Sequence, residues 1–196
     1  MFFREWKFFK GVYCNPLPMN EEVYVHYAGQ YRFGMLGEGQ DLIVERYLRR
    51  HKGSKFLHVG CSSNPVINRN VSSLVSKVVC GDLLLPATNL RKQNIVGVIP
   101  VAMDVFEIPF KDDTFDLILA VGIPPLYEAP VKGLRELHRV NSPRGLLLVC
   151  NRDGGGDVCI DQYKGMAEAT EYHILDESVG FDRQEKTNRY LLVLQK

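Results

Sequence analysis

From Lys55 onward the chain repeats one pattern: a short apolar run, a small or acidic turn, then a polar stretch able to form a helix. The apolar runs are Lys55–Val59, Lys77–Cys80, Gly97–Met103, Phe115–Val121 and Gly145–Cys150. Between them lie Val66–Ser76, Leu85–Gln93 and Ala129–Val140, the last with Leu134, Leu137 and Val140 on one helical side. A strand with one wet face alternates apolar and polar residues, whereas these runs are apolar throughout. Such strands, separated by helices, predict a parallel sheet covered on both faces. Pro100 inside the third run predicts a late strand start or a bulge, because proline cannot donate to a central ladder. The tail departs from the pattern. A helical stretch is expected over Gln162–Glu177, followed by Gly180-Phe-Asp182 and then Arg189–Gln195. Two strands separated by so few residues can pair only antiparallel, so the sheet is expected to end in a hairpin.

The front of the chain has a different character. Residues 1–54 are expected to form an aromatic N-terminal cap and helix belonging to the same domain as residues 55–196. Eleven of the chain's twenty aromatic side chains fall here, among them Phe2, Trp6 and Phe9, which share one face at helical spacing. Packing of these rings on the body of the domain is the plain expectation, and a lid or partner-binding face the sharper one. From Gly39 to Lys52, Leu42, Ile43, Tyr47 and Leu48 recur at three- and four-residue steps, with Arg49 and Arg50 in the last turn. That is an amphipathic helix whose basic end suits its dipole, ended by Gly53.

Composition narrows the function classes. With 24 Lys and Arg against 23 Asp and Glu, the chain of 196 residues carries a formal charge of +1. No overall field draws it to nucleic acid or to anionic lipid, since phosphate contacts need clustered Lys and Arg. No apolar run reaches the ~18 residues of a membrane span, and charges interrupt the first ten residues too often for a secretory signal. Five cysteines form no CxxC pair, and Cys80 and Cys150 sit inside strand-like runs as small hydrophobes. Reduced thiols and a cytoplasmic location follow as expectations, with no metal site.

In an open parallel sheet, ligands bind outside the carboxyl ends of the strands, near the point where strand order reverses. After the first strand come Gly60-Cys-Ser-Ser-Asn-Pro65, small residues that let backbone approach a ligand closely. After the second comes Asp82, 22 positions beyond Gly60, about where an acidic residue meets ribose hydroxyls in dinucleotide-type folds. After the third comes Asp104, and after the fourth Val121-Gly122-Ile123-Pro124-Pro125. Taken singly, Asp82 and Asp104 read as turn or cap residues. Together, they are placed where one nucleoside could touch both.

At this point the residues resemble a known family. Lys55–Leu148 is similar to the core of class I methyltransferases that use S-adenosylmethionine, in the methyltransferase-11-like branch. Two segments carry the resemblance: Met103-Asp-Val-Phe-Glu-Ile-Pro-Phe-Lys-Asp-Asp-Thr-Phe-Asp-Leu-Ile118, and Leu134-Arg-Glu-Leu-His-Arg-Val-Asn-Ser-Pro-Arg-Gly145. Gly180-Phe181 before the last strand also resembles the family's ending. The resemblance implies a Rossmann-like, doubly wound, mostly parallel seven-stranded α/β sheet with an antiparallel C-terminal hairpin in three α-β-α layers. The glycine loop is degenerate: His58-Val-Gly-Cys-Ser-Ser-Asn64 keeps only Gly60, and Ser62 stands at the second glycine's place. The cofactor implied is S-adenosyl-L-methionine. Gly60, Cys61 and Ser62 would border its methionine portion, Asp82 with Leu83 its ribose, Asp104 with Val105 its adenine, and Val121 with Gly122 its reacting end.

No catalytic base is assigned. Tyr127, Glu128, His26 and Tyr31 are candidates only through their place near the expected pocket mouth. Pro124-Pro125 is similar to part of the Asn/Asp-Pro-Pro-Tyr motif of amino-group methyltransferases, but Ile123 and Leu126 replace its outer residues, which argues against that subclass. The expected activity is methyl transfer to an acceptor, a small molecule being favoured while protein and RNA stay open. The alternative is a non-catalytic protein of this fold that binds a partner. A nicotinamide-dependent oxidoreductase is weaker, because the loop lacks Gly-x-Gly-x-x-Gly.

Overall fold

A computed structural model describes residues 36, 38–60, 77–82, 97–123, 126, 129–152, 158–183 and 186–196, with only the main chain at 77, 82 and 102. All of them belong to the unit Gly34–Lys196. The elements are α1 (Gln40–Arg50), β1 (Lys55–Val59), β2 (Lys77–Asp82), β3 (Val98–Ala102), β4 (Phe115–Val121), α2 (Pro130–Val140), β5 (Asn141–Arg152), α3 (Ile160–Glu168), β6 (His173–Asp182) and β7 (Thr187–Gln195). The aromatic segment and the expected helices Val66–Ser76 and Leu85–Gln93 lie outside the described residues.

The strands form one seven-stranded sheet in the order β3-β2-β1-β4-β5-β7-β6. The first five pair in parallel, β7 runs against β5, and β6 runs against β7. Two reversals return β6 to the common direction, so six strands point one way and β7 alone opposes them. The chain moves outward from β1 to β3 and then crosses back to β4, which places the switch point between β1 and β4.

Both faces of the sheet are covered, as the apolar runs require. In β4, Leu117, Ile118 and Leu119 are all fully buried because successive side chains enter different layers. Leu117 and Leu119 pack with Val44, Tyr47 and Leu48 of α1. Ile118 and Ala120 pack with Leu134 and Leu137 of α2 and Tyr163 of α3. Each such side chain contributes about 1.5–3 kcal/mol through burial. Cys80 and Cys150 are buried as thiols within this core, and Cys150 Sγ donates to Gln40 Oε1 at 3.4 Å. No described helix is long and apolar enough to cross a membrane.

Four local expectations are corrected. The stripe of α1 is Gln40, Val44, Tyr47 and Leu48, while Leu42 faces solvent at 66% exposure. Gln40 replaces an apolar residue there because its Nε2 donates to the carbonyls of Ser178 and Arg189, at 3.1 and 2.9 Å. Pro100 neither delays nor bulges its strand. It pairs in register with Cys80 on the edge strand β3. Val78 N–H donates to Gly97 O, so main-chain alternation turns the groups of residue 99 toward β2 and those of Pro100 away from the sheet. The fifth strand starts at Asn141, ahead of Gly145, with an irregularity against β4. Finally, α3 ends at Glu168 and the chain is already strand from His173, where a helix had been expected to run to Glu177.

Candidate active site

The carboxyl ends of the central strands form one row. Ala102 is in register with Asp82, Val59 with both Gly81 and Ala120, and Val121 with Cys150. Gly60, one residue past Val59, therefore lies level with Asp82 on one side and Val121 on the other. Its N–H donates to Gly81 O at 2.9 Å. Gly122 mirrors this across the switch point, donating to Cys150 O at 2.9 Å. Asp104 follows two residues after the end of β3. The row thus gathers Gly60, Asp82, Asp104, Val105 and Val121 at one rim, each strand step adding about 4.8 Å. Cys61, Ser62 and Leu83, and the base candidates Tyr127, Glu128, His26 and Tyr31, lie outside the described residues.

Gly60 turns the chain with φ +73, a left-handed conformation that favours glycine. A Cβ there would meet Ile123 Cγ1 at 3.0 Å and the Val121 carbonyl at 3.2 Å. The turn is a cradle that an added methyl group would crowd. At Gly81 the constraint comes from across the strand: a Cβ would fall 2.1 Å from Met103 Sδ. Met103 is buried, so the missing side chain on β2 is what lets its thioether lie beneath the rim. His58 is buried in β1, its ring 6.5 Å from that of Phe56.

Asp104 opens a tight turn. Its Oδ1 accepts the N–H of Phe106 at 2.8 Å, and its carbonyl accepts the N–H of Glu107 at 3.0 Å. The turn role expected for a lone carboxylate is therefore present. A carboxylate has about four acceptor positions, so this bond does not exhaust it. Val105 is buried beside it.

The two segments that carried the sequence resemblance prove to be halves of one clamp. Glu136 Oε1 accepts the N–H of Ile108 at 2.7 Å. Arg139 donates to Ile108 O and Phe110 O, both at 2.9 Å, to Asp112 Oδ1 at 2.7 Å, and through Nε to Glu136 Oε2 at 2.9 Å. The Arg139 and Val140 carbonyls accept the N–H groups of Asp113 and Thr114. Hydrogen bonds from Arg139 hold the Glu136 carboxyl below its usual range, ahead of the opposing effect of burial. At the other end of the sheet, Asp116 accepts the Lys55 N–H at 2.9 Å and the Ser142 hydroxyl at 3.1 Å. The Phe-Asp of the first segment is thus a structural tie across β1, β4 and β5. Gly145 is fixed by packing, since a Cβ would fall 2.1 Å from Asn141 Oδ1.

A groove of about 740 Å³ runs between Phe106, one side of α2 from Pro130 to Arg139, and Met166 of α3. Neither Gly60, Asp104 nor Val121 lines it. Among the described residues no group of three metal-ligating side chains converges.

The fold and the position of the switch point define a class of protein before any relative is considered: a doubly wound sheet with its switch point between β1 and β4 and a reversed seventh strand. Residues 57–149 match the family described as the methyltransferase domain. This segment carries the methyltransferase-domain pattern, and the fold of the chain is that of the class I methyltransferases. Among solved structures, an S-adenosylmethionine-dependent methyltransferase from Mesorhizobium loti superposes with TM-score 0.68 at 13% identity, over 83% of this chain and 100% of that one. The N-methyltransferase NodS from Bradyrhizobium japonicum, in complex with S-adenosyl-L-homocysteine, gives 0.66 at 14% identity, over 81% and 87%. The [4+2]-cyclase SpnF gives 0.65 at 21%, over 80% and 78%. No curated protein matches the sequence significantly.

Proposed function

We propose that this chain binds S-adenosylmethionine across the carboxyl ends of β1, β2 and β3 and catalyses transfer of its methyl group to an acceptor, with a small molecule favoured. The observation that carries this reading is the left-handed Gly60 cradle at the switch point, in one row with Asp82 and the Asp104 turn. The residues fit the cofactor: a cradle without a side chain, then two carboxylates at strand ends one and two steps away.

When bound, the cofactor supplies a methyl group already activated on a sulfonium sulfur. The chain's own residues bind and orient. Asp82 accepts the ribose hydroxyls, each charge-assisted bond worth roughly 1.5–3 kcal/mol. Asp104, with Oδ1 held by Phe106 N–H, accepts from the adenine amino group, and Val105 supports the turn from the core. Gly60, with Cys61 and Ser62 after it in sequence, would border the methionine portion, Leu83 would flank the ribose, and Val121 with Gly122 would face the reacting end. Methyl transfer of this kind depends mainly on holding donor and acceptor in line. Near-neutral charge supports a small acceptor over a polyanion.

Calorimetry of the full chain with S-adenosylhomocysteine tests the reading. Binding is expected, and Asp82→Ala is expected to weaken it by about 2 kcal/mol, roughly thirtyfold, without loss of folding. No binding by folded protein at near-millimolar concentration overturns it. A second reading keeps the fold and drops the reaction, making the chain a partner-binding subunit. It draws on the degenerate glycine loop, which keeps only Gly60, and on the lack of an assigned base, since fold alone does not dictate chemistry. A stable partner together with no cofactor binding would favour it.

A further inference from the structure

The turn that carries Asp104 has little of its own to hold it. Between Asp104 and Thr114, among the described residues, two backbone–backbone bonds lie within the segment, Glu107 N–H to Asp104 O and Phe110 N–H to Ile108 O, beside two short-range side-chain bonds, Phe106 N–H to Asp104 Oδ1 and the Thr114 hydroxyl to Lys111 O. The larger share of what else fixes it comes from α2, beside a ring contact to Phe115 of β4 and an ion pair from Lys196 to Asp113. Phe106 lies under Lys132, whose Nζ is 4.6 Å from the ring centroid, and within 3.7 Å of where a Cβ on Gly133 would stand. Ile108 is buried, and both its N–H and its carbonyl are taken by the Glu136–Arg139 pair. Phe110 gives its carbonyl to Arg139 and its ring to an edge contact with Phe115, 5.0 Å between centroids. One guanidinium therefore engages two carbonyls and two carboxylates at once, with Glu136 holding its Nε and Nη2 in fork geometry. Arg139 is 35 positions from Asp104 in sequence, yet it binds the same turn four and six residues beyond it.

We propose that Arg139, oriented by Glu136, is the positioning residue for the Asp104 turn and through it sets affinity for the adenine end of the cofactor. This inference rests on the cofactor reading above. In this assignment Arg139 acts on the nucleoside only through the loop that presents Asp104, which it fixes. Its neighbour on the exposed side of α2, Arg135, has no part in this network.

The test is a double-mutant cycle on the full chain, with S-adenosylhomocysteine affinity measured by calorimetry beside the melting temperature. Asp104→Ala is expected to weaken binding about thirtyfold and Arg139→Ala about tenfold. The double variant is expected to be no weaker than Asp104→Ala alone, because Arg139 acts only through that turn. Glu136→Gln, which keeps the shape and removes the charge, is expected to reproduce part of the Arg139→Ala loss. It carries the test alone if Arg139→Ala fails to fold. Arg135→Ala is expected to bind as the unaltered protein does. Three results overturn the proposal: undiminished affinity in folded Arg139→Ala, undiminished affinity in Glu136→Gln, or losses that simply multiply in the double variant. Absence of binding in the unaltered protein would instead overturn the cofactor reading.

Discussion

Replacing Gly60 with alanine probes the turn on which the rim depends. Alanine at φ +73 costs roughly 1–2 kcal/mol, because its Cβ crowds the following carbonyl in the left-handed region. At this position the Cβ would also sit 3.0 Å from Ile123 Cγ1 and 3.2 Å from Val121 O. The isoleucine can move by rotation, but the carbonyl belongs to β4 and is held by the sheet. Crowding of that kind adds roughly 1 kcal/mol or more. Gly53 provides the control: it has φ +87 with nothing within 4 Å of its would-be Cβ. Both changes restrict the unfolded chain equally, so that contribution cancels in the comparison. Urea unfolding should therefore place Gly53→Ala about 1–2 kcal/mol and Gly60→Ala about 2–4 kcal/mol below the unaltered protein. Equal losses at the two positions would refute the crowded-cradle argument, since backbone strain alone would then account for both.

Gly81→Ala should be destabilised by about 1–3 kcal/mol through its clash with Met103 Sδ, and combining it with Met103→Ala should cost less than the sum of the two, measured by thermal melts. Glu136 is held ionised below its usual range, so its stabilisation is complete above the unfolded carboxyl value of about 4.5 and fades as pH falls through the lower folded value. Urea midpoints measured from pH 7 to pH 3 should fall more steeply for the unaltered protein than for Glu136→Gln. Asp182→Ala should cost about 3–5 kcal/mol in urea unfolding, because it removes the carboxylate paired at 2.7 Å with a guanidinium that is 1% exposed. Loss of the exposed Glu38–Arg183 pair should leave the midpoint unchanged.

Strands buried on both faces were legible in the sequence because nothing polar interrupts them, and β1, β2 and β4 fall within a residue or two of the apolar runs. Of the sixth strand only the end, Gly180–Asp182, was legible as half of the hairpin; the stretch from His173 was not. This is an edge strand whose exposed positions include Leu175, Val179 and Phe181, while Asp176 and Ser178 lie on its half-covered side, so its pattern lacks an apolar face. Tyr163, Ala167 and Thr170 meanwhile continued a helical spacing past the true end of α3. At the rim, Gly60, Asp82 and Asp104 were found by counting from strand ends. Two features escaped because they depend on cross-strand or cross-layer geometry. The Gly81 clearance for Met103 joins neighbouring strands, and the side chains of the Glu136–Arg139 clamp reach residues 27 to 31 positions away. The clamp's residues had been noticed as a resemblance, but their reason is visible only when α2 lies against the loop.

The most direct test is a crystal structure of the full chain with S-adenosylhomocysteine. It should show adenosine lying along the strand ends, with its ribose hydroxyls on Asp82, its adenine amino group on Asp104 and its tail over Gly60. Density for the ligand elsewhere, or the Asp82 and Asp104 carboxylates turned away from it, would contradict the account.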